Sequence, residues 1–260
     1  VVNIATTKTK WMNVPGSAVQ NYIPRMEWSN KNEIIIQQLD RKQQVSKIML
    51  LNAVSGLASL INEEKDAAWI DIKSRWNNDD PTGWEWINEG KDFLWVSEKD
   101  GWRHIYSINL ATKKETLLTS GNYDMIGFGA IDQANGYVYF TASPNNALQQ
   151  YLYRVSLKGD GKAELISPAD LKGTHSYQIS PTGVFARHSF SNISTMPTDE
   201  WVNLTNGTVI KAGTKRSAKE NSNTKFIQIT TEDAVTMDGW MVLPNNFDST
   251  KKYPVVFYVY

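Results

Sequence analysis

The sequence predicts a mainly β chain, a partial β-propeller of four-stranded antiparallel blades, followed after a linker by the first strands of an α/β sheet. Three observations predict it. Short alternating or β-branched runs are punctuated by Gly, Asn, Asp and Pro, as strands joined by tight turns are, and helical periodicity is scarce. Asn135-Gly136 before Tyr137-Val138-Tyr139-Phe140, and Lys158-Gly159-Asp160-Gly161 between Leu157 and Leu165, supply the positive-φ residues that short hairpins need, so neighbouring strands run antiparallel. A four-strand unit also recurs every roughly 40 to 50 residues, which is how propeller blades are spaced, because one small sheet cannot bury both its faces unless neighbours stack on it.

The first unit runs from Met26-Glu27-Trp28 through Glu33 to Ile36 and Lys47 to Leu51, turns near Asn52 to Gly56, and ends with Leu57 to Ile61. The second has Glu85-Trp86-Ile87, Asp92 to Val96, Arg103 to Leu110, a turn at Ala111 to Lys114, and Glu115 to Leu118. In this unit Trp102 to Leu110 places large apolar residues mostly at even numbers, the period of a strand with one face buried. A third unit reads through Phe128 to Ile131, Tyr137 to Thr141, Tyr151 to Leu157 and Ala163 to Ile166. The fourth is less regular, with Tyr177 to Ile179, Val184 to His188, Trp201 to Leu204 and Val209-Ile210. The long first interval carries a polar insertion, Asp71 to Gly83, that reads as a projecting loop, either a binding element or a plain surface excursion.

Composition changes after the fourth unit. The domains are therefore drawn as residues 1–212 for the blades, 213–225 for a Gly-, Ser-, Asn- and Lys-rich linker, and 226–260 for the start of a second domain. Phe226 to Thr230 and Val235 to Pro244 read as strands, and Tyr253-Pro254-Val255-Val256-Phe257-Tyr258-Val259-Tyr260 suits a strand buried on both faces of an α/β sheet. The chain opens on Val-Val-Asn-Ile and reads as a piece excised from something longer.

Balanced charge, 27 Lys+Arg against 27 Asp+Glu, leaves no global field to draw nucleic acid or anionic membrane, and basic clustering is absent. With 41% hydrophobic and 11% aromatic residues the chain folds rather than staying disordered. It has no Cys, hence no disulfide, thiolate metal site or cysteine nucleophile. No apolar run approaches the roughly 20 residues that span a bilayer.

The individual candidates are mostly structural. His104, His175 and His188 lie far apart in sequence with no partner at metal-ligand spacing, and His104 reads as a packed or surface side chain. Gly127-Phe128-Gly129 lacks the third Gly and the helix of a dinucleotide site and reads as a bend between strands. Glu63-Glu64 reads as a solvated turn. Trp28, Trp86, Trp95 and Trp102 recur at equivalent blade positions, where wide packing between sheets takes bulky fillers. Asn192-Ile193-Ser194, Asn203-Leu204-Thr205 and Asn206-Gly207-Thr208 fit the N-glycosylation pattern, which matters only in a secretory pathway.

Four segments carry a family resemblance: Val1-Val2-Asn3, Asp100-Gly101-Trp102-Arg103-His104-Ile105-Tyr106, Trp240 to Asp248, and Lys251-Lys252-Tyr253-Pro254-Val255-Val256. Together they resemble the dipeptidyl peptidase IV family of serine exopeptidases in the prolyl oligopeptidase clan. The resemblance implies the second half of a propeller and the first strands of an α/β-hydrolase domain truncated at Tyr260. It implies a peptide substrate whose N-terminal dipeptide, Xaa-Pro or Xaa-Ala, is released, and no cofactor. It places the Ser, Asp and His of the triad beyond Tyr260 and the amine-binding Glu pair before Val1, so that Glu63-Glu64 is not that pair. Tyr260 would match the family's oxyanion-stabilising tyrosine at the end of the strand after Tyr-Pro. The resemblance further implies a periplasmic or secreted protein and a possible homodimer at full length. A prolyl tripeptidyl or oligopeptidyl peptidase of the same clan, and a propeller module that binds without catalysis, are the alternatives.

Overall fold

The computed structural model describes residues 1–72, 84–159, 161–213, 217 and 223–258. Within them the chain forms four antiparallel four-stranded sheets and one hairpin. The first sheet is β1 (Asn21–Asn30), β2 (Glu33–Asp40), β3 (Val45–Asn52) and β4 (Ala58–Lys65), in that spatial order. The second is β5 (Glu85–Ile87), β6 (Asp92–Ser97), β7 (His104–Asn109) and β8 (Glu115–Leu117). The third is β9 (Met125–Asp132), β10 (Tyr137–Ala142), β11 (Tyr151–Ser156) and β12 (Glu164–Leu165), and the fourth β13 (Thr174–Ile179), β14 (Phe185–Ser191), β15 (Thr198–Asn203) and β16 (Val209–Ala212). The hairpin is β17 (Thr224–Thr230) with β18 (Thr236–Val242). Each of the four sequence repeats is thus one meander.

The hairpin turns repeat one device. An Asp or Asn at the end of a strand turns its side-chain oxygen back onto the next backbone N–H groups, which the ladder no longer satisfies. Asp40 Oδ1 accepts from Gln44 and Val45 N–H at 2.7 and 2.9 Å, and Asn52 Oδ1 from Val54 and Ser55 at 3.0 and 2.8 Å. Asn109 accepts from Thr112 at 2.8 Å, Asp132 from Asn135 at 3.0 Å, and Asn203 from Thr205 at 2.8 Å. Gly136, at φ +75°, completes the β9–β10 turn in a conformation a side chain resists.

Successive sheets stack through apolar layers that obey the period of two. Ile35, Ile48 and Ile61 of the first sheet meet Trp84, Phe93, Trp95 and Ile108 of the second. From the opposite face of the second sheet, Leu94 and Ile105 meet Met125, Val138 and Phe140 of the third. Tyr139 and Leu152, on the third sheet's other face, pack with Ala186, Val202 and Leu204 of the fourth. The free face of the first sheet, Ile34, Ile36, Met49 and Leu51, is covered by Val1, Met12 and Val14 of the N-terminal arm. Each fully buried large side chain in these layers contributes about 1.5–3 kcal/mol over its exposed state.

Several sequence expectations change. β7 is not half-buried: His104, Ile105 and Tyr106 are all buried, because the second sheet is covered on both faces. Trp95 fills the space between sheets as expected, joined by Trp84, but Trp28 and Trp102 are 54% and 38% exposed and are not core. Gly127-Phe128-Gly129 lies inside β9 rather than between strands. There the β9–β10 register slips between Tyr139 and Phe140, and a Cβ on Gly129 would sit 2.9 Å from the Tyr139 carbonyl oxygen. Glu63 and Glu64 belong to β4, not a turn, and Glu63 pairs with Lys65 at 2.7 Å and Lys47 at 3.5 Å.

Beyond the fourth sheet, β17 starts at Thr224, inside the segment read as linker; 214–216 and 218–222 lie outside the described residues, as do 73–83 of the insertion. The doubly buried strand expected at Tyr253 to Tyr260 is not formed over 253–258. Val255 to Tyr258 are exposed and unpaired with any strand among the described residues, and an extended apolar run becomes a buried strand only where neighbours supply ladder partners and cover.

Candidate functional site

Tyr260, the one catalytic candidate from sequence, lies outside the described residues. The Asp100 to Tyr106 segment is described in full, and it builds the turn from β6 into β7. Gly101, at φ +93°, lets the chain reverse, and Asp100 Oδ2 meets His104 Nδ1 at 2.8 Å. Burial works against ionising Asp100, but hydrogen bonds from His104 and Tyr106 outweigh it and hold the carboxyl below its ordinary value. Burial, then the Asp100 carboxylate, push the Tyr106 phenol well above its usual range. Lys99 closes the cluster by pairing with Glu115 and lying 4.3 Å over the Tyr106 ring. His104 is therefore packed, as expected, and acts as an anchor for this turn.

The turn borders a cleft of about 640 Å³ between the loops of the second and third sheets and the β17–β18 hairpin. Trp102, Tyr123, Asp124 and Asn146 from the sheet loops line it, together with Gln228 and Asp238 of the hairpin. Asp124 is held by the Arg103 N–H at 2.7 Å, and Asp238 accepts from Gln228 Nε2 at 3.0 Å. Burial raises the pKa of the Tyr123 phenol, and its hydroxyl, like Ser143 Oγ, is buried without a hydrogen-bond partner among the described residues. The lining of the cleft offers carboxylates, carboxamides and an indole. Among the described residues no base is hydrogen-bonded to either hydroxyl.

Sequence reasoning missed a second cluster. His175 of β13 and His188 of β14, read as far apart, meet at 2.9 Å between Nδ1 and Nε2, both buried. His175 Nε2 lies 2.7 Å from the Leu171 carbonyl, and His188 Nδ1 lies 3.0 Å from Glu200 Oε1 on β15. Tyr151 of the third sheet stacks on His175, and Tyr177 on His188. Burial pushes the Tyr177 phenol up to about 12. A cavity of about 210 Å³ adjoins His188, Glu200 and Tyr177. The available signal was strand register, which sets Tyr177 opposite His188 and His175 opposite Phe190, making the histidines diagonal neighbours. Among the described residues no group of three His, Asp or Glu is placed to hold a metal ion.

Comparison with known proteins adds three findings. Residues 1–197 match the family described as Dipeptidyl peptidase IV (DPP IV) N-terminal region. The chain is 24% identical over 254 residues to dipeptidyl-aminopeptidase B of Aspergillus niger, covering 90% of this chain and 27% of that protein. A probable dipeptidyl-aminopeptidase B of Emericella nidulans is 25% identical over 252 residues, with the same coverage. The chain thus spans about a quarter of the length of these relatives. Among solved structures, dipeptidyl peptidase 4 of Porphyromonas gingivalis superposes with a TM-score of 0.78 at 24% identity, over 97% of this chain and 35% of that one. A putative dipeptidyl aminopeptidase IV from Bacteroides ovatus gives 0.76 at 19%, over 97% and 38%. At those identities the likeness is one of fold, and the stacked sheets are propeller blades.

Proposed function

The chain belongs to the dipeptidyl peptidase IV N-terminal region family, and from that premise we propose that it is the propeller part of a serine exopeptidase that releases Xaa-Pro and Xaa-Ala dipeptides from peptide N termini. The observation that carries this reading is the family match across residues 1–197, which spans the first three sheets and the first two strands of the fourth. In it the propeller walls off and screens the chamber, while the Ser, Asp and His come from residues outside this chain, which alone is inactive. A wall of sheets packed on both faces suits that task, because it can exclude folded protein without itself yielding. In this reading the carboxylates of Asp124 and Asp238, which line the 640 Å³ cleft, hold a peptide by its amides or amine.

Tyr260 is proposed as the oxyanion donor, its hydroxyl aimed at the charge that develops as the scissile carbonyl turns tetrahedral. We extend the proposal to export, into the periplasm or beyond, and to a homodimer of the full-length protein.

The test is the full-length protein assayed on Gly-Pro and Ala-Ala-Pro chromogenic substrates. Preference for Gly-Pro is expected; preference for Ala-Ala-Pro would make it a tripeptidyl peptidase, and turnover of neither a binding module. In the same protein Tyr260→Phe is expected to lower kcat about 10²-fold or more with the fold unchanged, and an unaltered kcat would remove Tyr260 from the mechanism.

A further inference from the structure

The junction of the third and fourth sheets contains a chain of polar contacts that requires a proton of its own. It has three links: Leu171 carbonyl to His175 Nε2 at 2.7 Å, His175 Nδ1 to His188 Nε2 at 2.9 Å, and His188 Nδ1 to Glu200 Oε1 at 3.0 Å. Each link needs one hydrogen between its two heavy atoms. A carbonyl oxygen has none to give, so His175 Nε2 must donate to Leu171. Two neutral imidazoles carry two hydrogens and a carboxylate none, which leaves one link facing two acceptors.

We propose that the His175–His188 pair is a buried proton-binding site, which carries three ring hydrogens and a single positive charge that rests on His188 against the Glu200 carboxylate. Contact with the carboxylate places the charge on His188 rather than on His175. The Tyr177 ring lies parallel over His188, with centroids 4.4 Å apart and planes at 10°, and presents its electron-rich face to the cation. Among the described residues, titratable groups beside the pair include Glu200 from β15, Tyr177 from β13, Tyr151 at the start of β11, and Asp170 from the segment ahead of β13, which lines the adjoining cavity. A carboxylate beside the pair favours the proton by opposite charge.

The site couples sheet packing to pH. Tyr151 stacks on His175 across the junction, and His175 and Gln150 share backbone and side-chain hydrogen bonds at 2.9 and 3.0 Å, so the pair sits where the two sheets are fastened. An unfolded histidine gives up its proton near pH 6.5, whereas the folded pair keeps one above that pH. The folded-state affinity for this one proton is therefore raised, and the net stability the pair brings is greatest at about pH 6.5, where the two unfolded histidines together also hold one proton. It declines by up to tenfold in the folding constant per pH unit as pH rises, and is lost once pH passes the folded value. A fourth ring hydrogen would set two N–H groups against each other, so below the unfolded value the pair resists further protonation and stability falls again. The contribution therefore peaks at about pH 6.5 and falls on either side.

Nitrogen-15 NMR of the imidazole rings in the intact protein at pH 7.5 reads the count directly. Three protonated ring nitrogens of four in His175 and His188 are expected; two would overturn the proposal. Glu200→Gln supplies an amide N–H to His188 Nδ1, so the links persist with only two ring hydrogens. That variant is expected to lose the tenfold-per-unit decline in folding constant above pH 6.5, relative to the parent. A decline identical in both proteins would also overturn the proposal, and if the variant fails to fold, the ring-nitrogen count in the parent decides.

Discussion

Phe93 has no surface in water, and three tryptophans meet it edge-on: Trp84 at 5.3 Å between centroids, Trp86 at 5.9 Å and Trp95 at 6.4 Å. These rings are large and rigid and belong to its own sheet and the residue leading into it, while Ile35, Ile48 and Ile61 of the first sheet pack into the same cluster, so the neighbours cannot close over a void. Phe93→Ala is therefore expected to cost about 3–5 kcal/mol, read as a lowered denaturant midpoint at unchanged slope. A loss below about 1 kcal/mol would mean that the Trp84 and Trp95 rings collapse into the space. The same neighbourhood shows how far single residues were legible. Phe93 sits on an apolar run and could be placed in the core from its pattern, whereas Trp28 and Trp95 look alike in sequence and end up 54% and 6% exposed. Their difference is set by what lies opposite each ring, and no local pattern encodes that. Glu27 next to Trp28 adds to the point, since it reaches across to accept from Trp86 Nε1 at 2.5 Å and so turns its strand's contact with the second sheet polar.

At the level of the element, the strands were legible because their information is local. Turn chemistry at Asp40, Asn52, Asn109, Asp132 and Asn203 stands in the sequence as Asp or Asn at a strand end, and the structure uses each of those side chains to close its hairpin. Gly127-Phe128-Gly129 failed for a related reason. A glycine pair signals that something approaches closely, but not whether that is a chain reversal or, as here, the Tyr139 carbonyl crowding Gly129 at a register slip. The histidine chain was less accessible still. His175 and His188 become neighbours only through the β13–β14 register, and Glu200 joins through β14–β15, where it stands opposite His188. Thirteen positions separate the first pair and twelve the second, so a search at metal-ligand or helix spacing passes over them. Tyr253 to Tyr258 marks the other limit, because its apolar pattern specifies a strand whose partners are not among the described residues, and the segment stays extended and exposed.

Across the whole molecule, stability is distributed by nearest-neighbour stacking, since among the described residues the apolar clusters join each sheet to the next and the first sheet to the N-terminal arm. The second and third sheets are covered on both faces, and Ile105, Ile108, Val138 and Phe140 on their central strands lose all or nearly all contact with water. By contrast β16 is exposed along its length, and the β17–β18 hairpin keeps Phe226, Met237 and Trp240 49–63% exposed, with its ladder as its main support. A two-stranded ladder without a packed face is marginal in water. Opening the hairpin breaks few apolar contacts, while opening β6, β7 or β10 requires two stacked layers to separate. Amide hydrogen exchange of the 260-residue chain should rank accordingly, with β6, β7 and β10 protected about 10²-fold or more beyond β17 and β18. β2 and β3 should join the protected set, since the N-terminal arm supplies their second cover through Val1, Met12 and Val14. Equal protection in β17 and β7 would show that the hairpin is fastened to the sheets as firmly as the sheets are to one another. In that case the cleft between them would be a fixed wall rather than a joint that can widen for a peptide.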